Sequence, residues 1–120
     1  MRAKEILKAF GFDLQRYRDC FGQRFVATPG NNPYTRYSAT TARGLIDMLV
    51  PEPPGLLTAS SIKAWAEECL AAYCGKDNPS IEELAKAAFA AYDAVPTDDE
   101  LKTFVNACKV DRRRLMERLG

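Results

Sequence analysis

The chain has 120 residues, with 17 lysines and arginines, 16 aspartates and glutamates, and no histidine. This length is that of a single domain with its own hydrophobic core, and no apolar run reaches the roughly 18 residues of a membrane-spanning helix. The start of the chain carries charges at Arg2, Lys4, Glu5 and Lys8 and shows no apolar run of signal-peptide length. We therefore expect one non-membrane domain, residues 1–120, in the cytoplasm.

The charge is distributed unevenly along the chain. Residues 1–45 carry a net charge of +5, residues 46–100 carry −8, and residues 101–120 carry +4. Two explanations stay open. The basic ends can pack against the acidic middle so that the charges pair, or they can share one face that binds a polyanion.

The composition favours helices, because the chain is rich in alanine and poor in valine and isoleucine. We predict an all-α fold without a β-sheet, a compact single-domain bundle of five to seven helices. The predicted helices span 2–10, 13–21, 40–50, 58–74, 80–95, 98–109 and 111–119.

In the N-terminal part, Gly11 is expected to end the first helix and Asp13 to cap the second. Residues 27–37 have the turn chemistry of a loop, with two prolines, a glycine and two asparagines. Arginines and tyrosines alternate in and beside this loop, which suits nucleic acid or a protein interface. The interpretation that we favour is a loop held down by its own tyrosines.

The middle of the chain supplies the predicted core. Residues 51–55 contain three prolines and form a rigid corner, and either Ser38 or Thr40 begins the helix before it. Trp65, the one tryptophan, lies on the apolar face of the helix that follows and is expected to anchor the core. Capping boxes begin the next two helices at Ser80 and Thr97.

Four cysteines are spaced too widely for the paired ligands of a zinc site: Cys20, Cys69, Cys74 and Cys108. We predict that they are reduced and mostly buried. We predict no metal and no cofactor.

The last seventeen residues, 104–120, are predicted to form two short helices with a break at Lys109–Val110–Asp111. Residues 6–22 repeat this stretch with four identities: Ala9/Ala107, Asp13/Asp111, Arg16/Arg114 and Gly22/Gly120. The stretch resembles the helix-turn-helix of bacterial DNA-binding regulators. The small residue, the apolar turn residue, the cap and the apolar positions of the second helix fall on Ala107, Val110, Asp111, Leu115 and Leu119. Lys109 departs from the pattern, because the family usually has glycine at that position, which the N-terminal copy keeps as Gly11.

If a helix restarts at Asp111, three arginines occupy its first turn, where cations oppose the helix dipole. Such an unfavourable run often marks a functional site, although charge pairing with the acidic middle explains it almost as well. The predicted contact residues for nucleic acid or a protein partner are Arg113, Arg114, Arg118, Gln15, Arg16, Tyr34 and Arg36. Arg112 falls nearer the buried face.

The sequence contains no phosphate-binding glycine loop and no recognisable set of catalytic groups. We predict that the protein is not an enzyme. The first functional hypothesis is a small nucleic-acid-binding or regulatory protein that contacts duplex DNA through its terminal hairpins. The alternative is a protein–protein interaction module, such as a phage- or plasmid-type adaptor or inhibitor, that binds an acidic protein surface.

Overall fold

A computed structural model describes residues 1–119, except the side chains of Leu115, Met116, Arg118 and Leu119. Within this range the chain forms five helices and one three-stranded antiparallel sheet of strand order β1-β2-β3. The elements in chain order are α1 (Ala3–Ala9), β1 (Phe12–Asp19), β2 (Gly22–Pro29), β3 (Tyr37–Ala39), α2 (Ala42–Leu49), α3 (Ala59–Ala72), α4 (Ile81–Ala90) and α5 (Asp98–Leu119).

The all-α prediction is wrong, because the segment predicted as a helix at 13–21 is a strand followed by a turn. The apolar residues Phe12 and Leu14 alternate with polar ones, and this period of two places both on the face that packs against the core. Asp13 therefore caps no helix. It pairs with Thr28 of β2.

A two-residue turn, Cys20–Phe21, joins β1 to β2 and decides their register. Asp19 Oδ1 accepts a hydrogen bond from the Phe21 N–H at 2.8 Å, and Gly22 has a φ of +117°. Aspartate at the first turn position and glycine at the fourth are typical of a tight turn closing a hairpin. The pair Asp19–Gly22 closes the hairpin, and the ladder runs down to Phe12–Pro29.

Four of the other predicted helices are confirmed with shifted ends. α1, α2 and α3 lie within the predicted ranges, and α4 ends five residues early at Ala90. The cap of α2 is Thr41, whose side chain accepts from the Gly44 N–H at 3.0 Å, so neither Ser38 nor Thr40 begins that helix. The loop predicted at 27–37 is shorter, because β2 extends to Pro29 and β3 begins at Tyr37.

The predicted break at Lys109–Val110–Asp111 does not occur. α5 is one continuous helix of 22 residues from Asp98 to Leu119. None of these three residues is a glycine or a proline, the usual causes of a break, so the helical hydrogen bonds continue. The two stretches that appeared to repeat thus differ in structure, and neither forms a helical hairpin.

The prediction that Trp65 anchors the core is confirmed. Its side chain is 2% exposed, and its ring packs edge-on against Phe89 and Phe104 at centroid distances of 5.0 and 5.2 Å. Its Nε1–H donates to the Pro51 carbonyl at 2.9 Å. The tryptophan therefore joins α3, α4 and α5 and also fastens the proline-rich corner before α3.

The base of the hairpin meets the helical part of the fold at a backbone junction. The Cys74 N–H donates to Phe10 O at 2.9 Å, and the Gly30 N–H donates to Gly11 O at 2.8 Å. Gly11 has a φ of +87°, and a Cβ built on it would lie 2.2 Å from the Gly75 nitrogen. Only glycine satisfies both the conformation and the close approach.

We predict that Trp65→Ala lowers the free energy of unfolding by roughly 3–5 kcal/mol, because it leaves a cavity and an unpaired Pro51 carbonyl. Denaturant unfolding followed by circular dichroism measures this change. The matched control is Tyr34→Ala, which removes an aromatic ring that is 95% exposed and is expected to change stability by less than about 0.5 kcal/mol. Equal losses in the two variants would contradict the placement of Trp65 in the core.

We predict that Gly11→Ala destabilises the fold by about 2 kcal/mol or more, since the new methyl group adds strain at positive φ and forces two backbones apart. Gly55→Ala is the control, because a Cβ at Gly55 meets no atom within 4 Å. Thermal unfolding of the two variants compares them directly. A Gly11→Ala protein as stable as Gly55→Ala would show that the junction is not close-packed.

Candidate nucleic-acid interface

The distal half of the β1–β2 hairpin is exposed on both faces. Every residue from 15 to 24 is exposed, whereas Phe12 and Ala27 at the base are buried. A strand normally buries at least one face, and here the sheet packs against α1 and α2 only through its proximal half. The outer ten residues thus form a two-stranded ribbon that carries its side chains into solvent.

Cationic side chains lie on both faces of this ribbon. Arg16 and Arg18 alternate with Tyr17, so they share the face that begins with Phe12 and Leu14. Tyr17 lies opposite Arg24 on the other face. Apart from these three arginines, the ribbon has one charged residue, Asp19, and its carboxylate is engaged with the turn backbone.

The charges of the ribbon are not neutralised by the acidic middle of the chain. Among the described side chains, the one ion pair is Arg43–Asp47, which lies within α2 at 3.1 Å. This pair joins residue 43 of the basic N-terminal part to residue 47 of the acidic middle, but no described ion pair involves an arginine of the ribbon, so pairing with the middle does not account for the ribbon charges. An exposed cationic surface is left on the hairpin.

The predicted contact residues lie in two separate parts of the fold. Gln15 and Arg16 are neighbours on β1 and point to opposite faces of the ribbon, and the Tyr17 hydroxyl donates to Gln15 Oε1. Tyr34 and Arg36 lie in the loop between β2 and β3, and both are exposed. Gln15 and Arg16 therefore lie on the ribbon and Tyr34 and Arg36 at the opposite end of the hairpin from its turn, and neither pair belongs to the helical hairpin that was expected.

The two tyrosines of the loop predicted at 27–37, Tyr34 and Tyr37, have different surroundings. Tyr37 packs edge-on against Phe12 at a centroid distance of 6.1 Å, as expected for a loop held down by its own aromatic residues. Tyr34 is 95% exposed. It therefore stays available for contact with a partner.

Arg113 and Arg114 are exposed near the C-terminal end of α5, and the side chain of Arg118 lies outside the described part. Because α5 is continuous, these arginines follow more than three turns of helix instead of beginning one. Cations towards a helix C-terminus oppose no dipole. The helix dipole therefore gives no electrostatic reason to expect a functional site at Arg113 and Arg114. These arginines also lie on a helix that packs on α3 and α4, whereas α1 and α2 pack against the sheet.

Sequence reasoning missed two contact candidates of the ribbon, Arg18 and Phe21, and it associated Arg24 with the loop at 27–37 instead of with a hairpin. The available signal was Asp19-Cys-Phe-Gly22 between two runs that contain β-branched and aromatic residues. It was overlooked because Leu14, Tyr17 and Phe21 also fit a helical period. The side chain of Phe21 is 92% exposed, so it does not belong to the apolar face that this helical reading required.

Outside the ribbon, charged side chains come together at one surface cavity. A surface cavity of about 640 Å³ between α1, β1 and the loop after α3 is lined by Lys4, Lys8 and Lys76, with Asp13 and Asp77 among them. In the described residues, no three histidine, cysteine or carboxylate side chains are grouped as metal ligands. The prediction that the protein is not an enzyme stays a prediction.

The cysteines are free, and they differ in burial. Cys69 and Cys108 are buried, Cys74 is half-buried and Cys20 at the ribbon tip is exposed, so the prediction of mostly buried thiols is wrong for Cys20. Burial raises the pKa of the Cys69 thiol, and it raises the pKa of Cys108 to about 12, with Asp111 adding to the effect. These two thiols stay protonated and unreactive near neutral pH.

We predict one fast-reacting thiol in the native protein and four after denaturation, measured with a chromogenic disulfide reagent at pH 8. Cys20→Ser should abolish the fast phase, because the reagent reaches only an exposed thiol readily. Cys108→Ser should leave the fast phase intact and serves as the control. A native protein with no fast thiol would contradict the exposure of the ribbon tip.

Comparisons with protein-family models, with curated proteins and with solved structures found no significant match for this chain. Within residues 1–119, no helix combines the length and the apolar character needed to cross a bilayer. The proposed function therefore rests on the geometry and charge of the ribbon.

Proposed function

We propose that this chain is a non-enzymatic nucleic-acid-binding protein that inserts its β1–β2 ribbon into the major groove of duplex DNA. The observation that carries the proposal is a projecting ribbon with arginines on both faces and no carboxylate partner among the described side chains. The ribbon replaces the helical hairpins as the expected binding element.

The dimensions of the ribbon fit this groove. The major groove is roughly 12 Å wide and 8.5 Å deep and admits a two-stranded ribbon, whereas the minor groove is only about 6 Å wide. Residues 15–19 extend about 16 Å at ~3.3 Å per residue, which exceeds the depth of the groove. The ribbon is therefore long enough for its tip to reach the base edges.

The distribution of arginines favours entry with the tip first. In that orientation each face of the ribbon turns towards one of the two phosphate backbones. Arg16 and Arg18 then approach one strand, while Arg24 approaches the other. Guanidinium groups bind phosphates with paired hydrogen bonds and release condensed counterions, which is the main source of affinity for DNA.

A second candidate function, a protein–protein interaction module, is favoured by the exposed aromatic residues. Phe21 and Tyr34 are 92% and 95% exposed, and such residues often form the energetic centre of a protein interface. An acidic protein surface would satisfy the same arginines. Free thiols suit the reducing cytoplasm that we infer for either function.

We predict that replacing Arg16, Arg18 and Arg24 by alanine weakens binding to a mixed-sequence duplex and reduces its salt dependence. Each lost phosphate contact lowers the slope of log K against log salt by ~0.9, so three contacts lower it by about 2.7. Electrophoretic shifts between 50 and 200 mM salt measure the slope. The fold should persist, because all three side chains are exposed.

The matched control replaces three exposed lysines on the helices, Lys63, Lys86 and Lys102, and so removes the same charge. This variant should keep the wild-type slope. The pair Arg113→Ala and Arg114→Ala tests the other basic region. If only that pair weakens binding, the ribbon is not the binding element. If the wild type binds no duplex at 50 mM salt, the nucleic-acid proposal is wrong and a protein partner is favoured.

A further inference from the structure

The outermost residue of the ribbon is a large apolar side chain that the fold does not use. Phe21 is 92% exposed at the β1–β2 turn. An exposed phenyl ring contributes nothing to the core, and it adds apolar surface to a ribbon that is otherwise polar. Its neighbours in the turn have defined roles, because Asp19 accepts the turn hydrogen bond and Gly22 adopts positive φ.

The turn also fixes the backbone of Phe21. The Phe21 N–H is bound by Asp19 Oδ1 at 2.8 Å, and the next residue pairs with Asp19 in the ladder. The backbone donor of Phe21 is therefore already occupied within the turn. The part of this residue that is free to contact a ligand is the ring, which lies at the tip of the cationic ribbon.

The floor of the major groove offers a restricted set of partners to such a ring. Base edges there present hydrogen-bond donors and acceptors, and the single apolar group is the 5-methyl group of thymine. A phenyl ring cannot satisfy a donor or an acceptor, so covering a polar base edge costs free energy. Contact with a methyl group instead removes apolar surface from water.

We propose that Phe21 is a specificity-determining residue that recognises the 5-methyl group of thymine. This inference rests on the proposed function, because it requires the ribbon tip to reach the bases. The arginines contribute affinity without regard to sequence. Phe21 adds a preference for duplexes that display a methyl group in the major groove.

The test compares two alternating duplexes, poly(dA-dT) and poly(dA-dU), which carry the same charge and the same hydrogen-bonding edges. Uracil lacks only the methyl group, so no knowledge of a target sequence is needed. We expect the wild-type protein to bind poly(dA-dT) about fourfold more tightly, the equivalent of ~0.8 kcal/mol for one buried carbon. Poly(dG-dC) with 5-methylcytosine should gain a similar factor over its unmethylated form.

Phe21→Ala should bind the methylated and unmethylated duplexes equally while keeping the wild-type dependence on salt. Val95→Ala is the matched control, because Val95 is a 93% exposed apolar residue in the loop between α4 and α5. That variant should keep the fourfold preference. Thermal unfolding checks that both variants are folded, as expected for exposed positions.

The outcomes separate this inference from the proposed function. A wild-type protein that binds no duplex overturns both. Binding without a difference between thymine and uracil overturns the role of Phe21 and leaves the arginine ribbon standing. A methyl preference that persists in Phe21→Ala assigns recognition to another residue. Equal weakening on every duplex would assign the ring to non-specific stacking, which also overturns the inference.

Discussion

The backbone junction between the base of the sheet and the loop after α3 is the constraint on which the exposed ribbon depends. Two N–H groups donate across it at 2.9 Å, that of Asn31 to Cys74 O and that of Cys74 to Phe10 O, and Gly11 provides the close approach. Backbone hydrogen bonds between segments far apart in sequence leave little room for the hairpin to tilt at its base. The distal half can therefore project without packing against anything and still keep a defined direction.

The helical part of the fold supplies the support for this junction. The aromatic cluster of Trp65, Phe89 and Phe104 joins α3, α4 and α5, and the junction follows α3 directly in the chain. α1 completes the connection, because it packs against β1 on one side and against α2 and α4 on the other. Burial is concentrated in these elements, and the charged ribbon lies outside them.

The separate roles proposed for the arginines and for Phe21 follow from the alternation of side chains along a strand. Successive residues point to opposite faces, so a short hairpin can carry arginines towards two phosphate backbones at once. The turn carries Phe21, which is exposed at the tip of the ribbon. In the proposed function, affinity and base preference come from different residues of one element.

The sequence by itself determined α1 to α4 closely and the buried position of Trp65, because helical periodicity, capping boxes and prolines act within a few residues. Four of the residues that it predicted as contacts are exposed on β1 or in the loop between β2 and β3, namely Gln15, Arg16, Tyr34 and Arg36, and their role as contacts stays a prediction. Tertiary structure decided that residues 12–19 form a strand, since Leu14, Tyr17 and Phe21 fit a helical period, Phe12 and Leu14 fit a period of two, and pairing with β2 selects the second. It likewise decided that α5 continues through Val110 and that the basic ribbon is left unpaired. Strand pairing and charge pairing depend on residues distant in the chain, which local patterns do not specify.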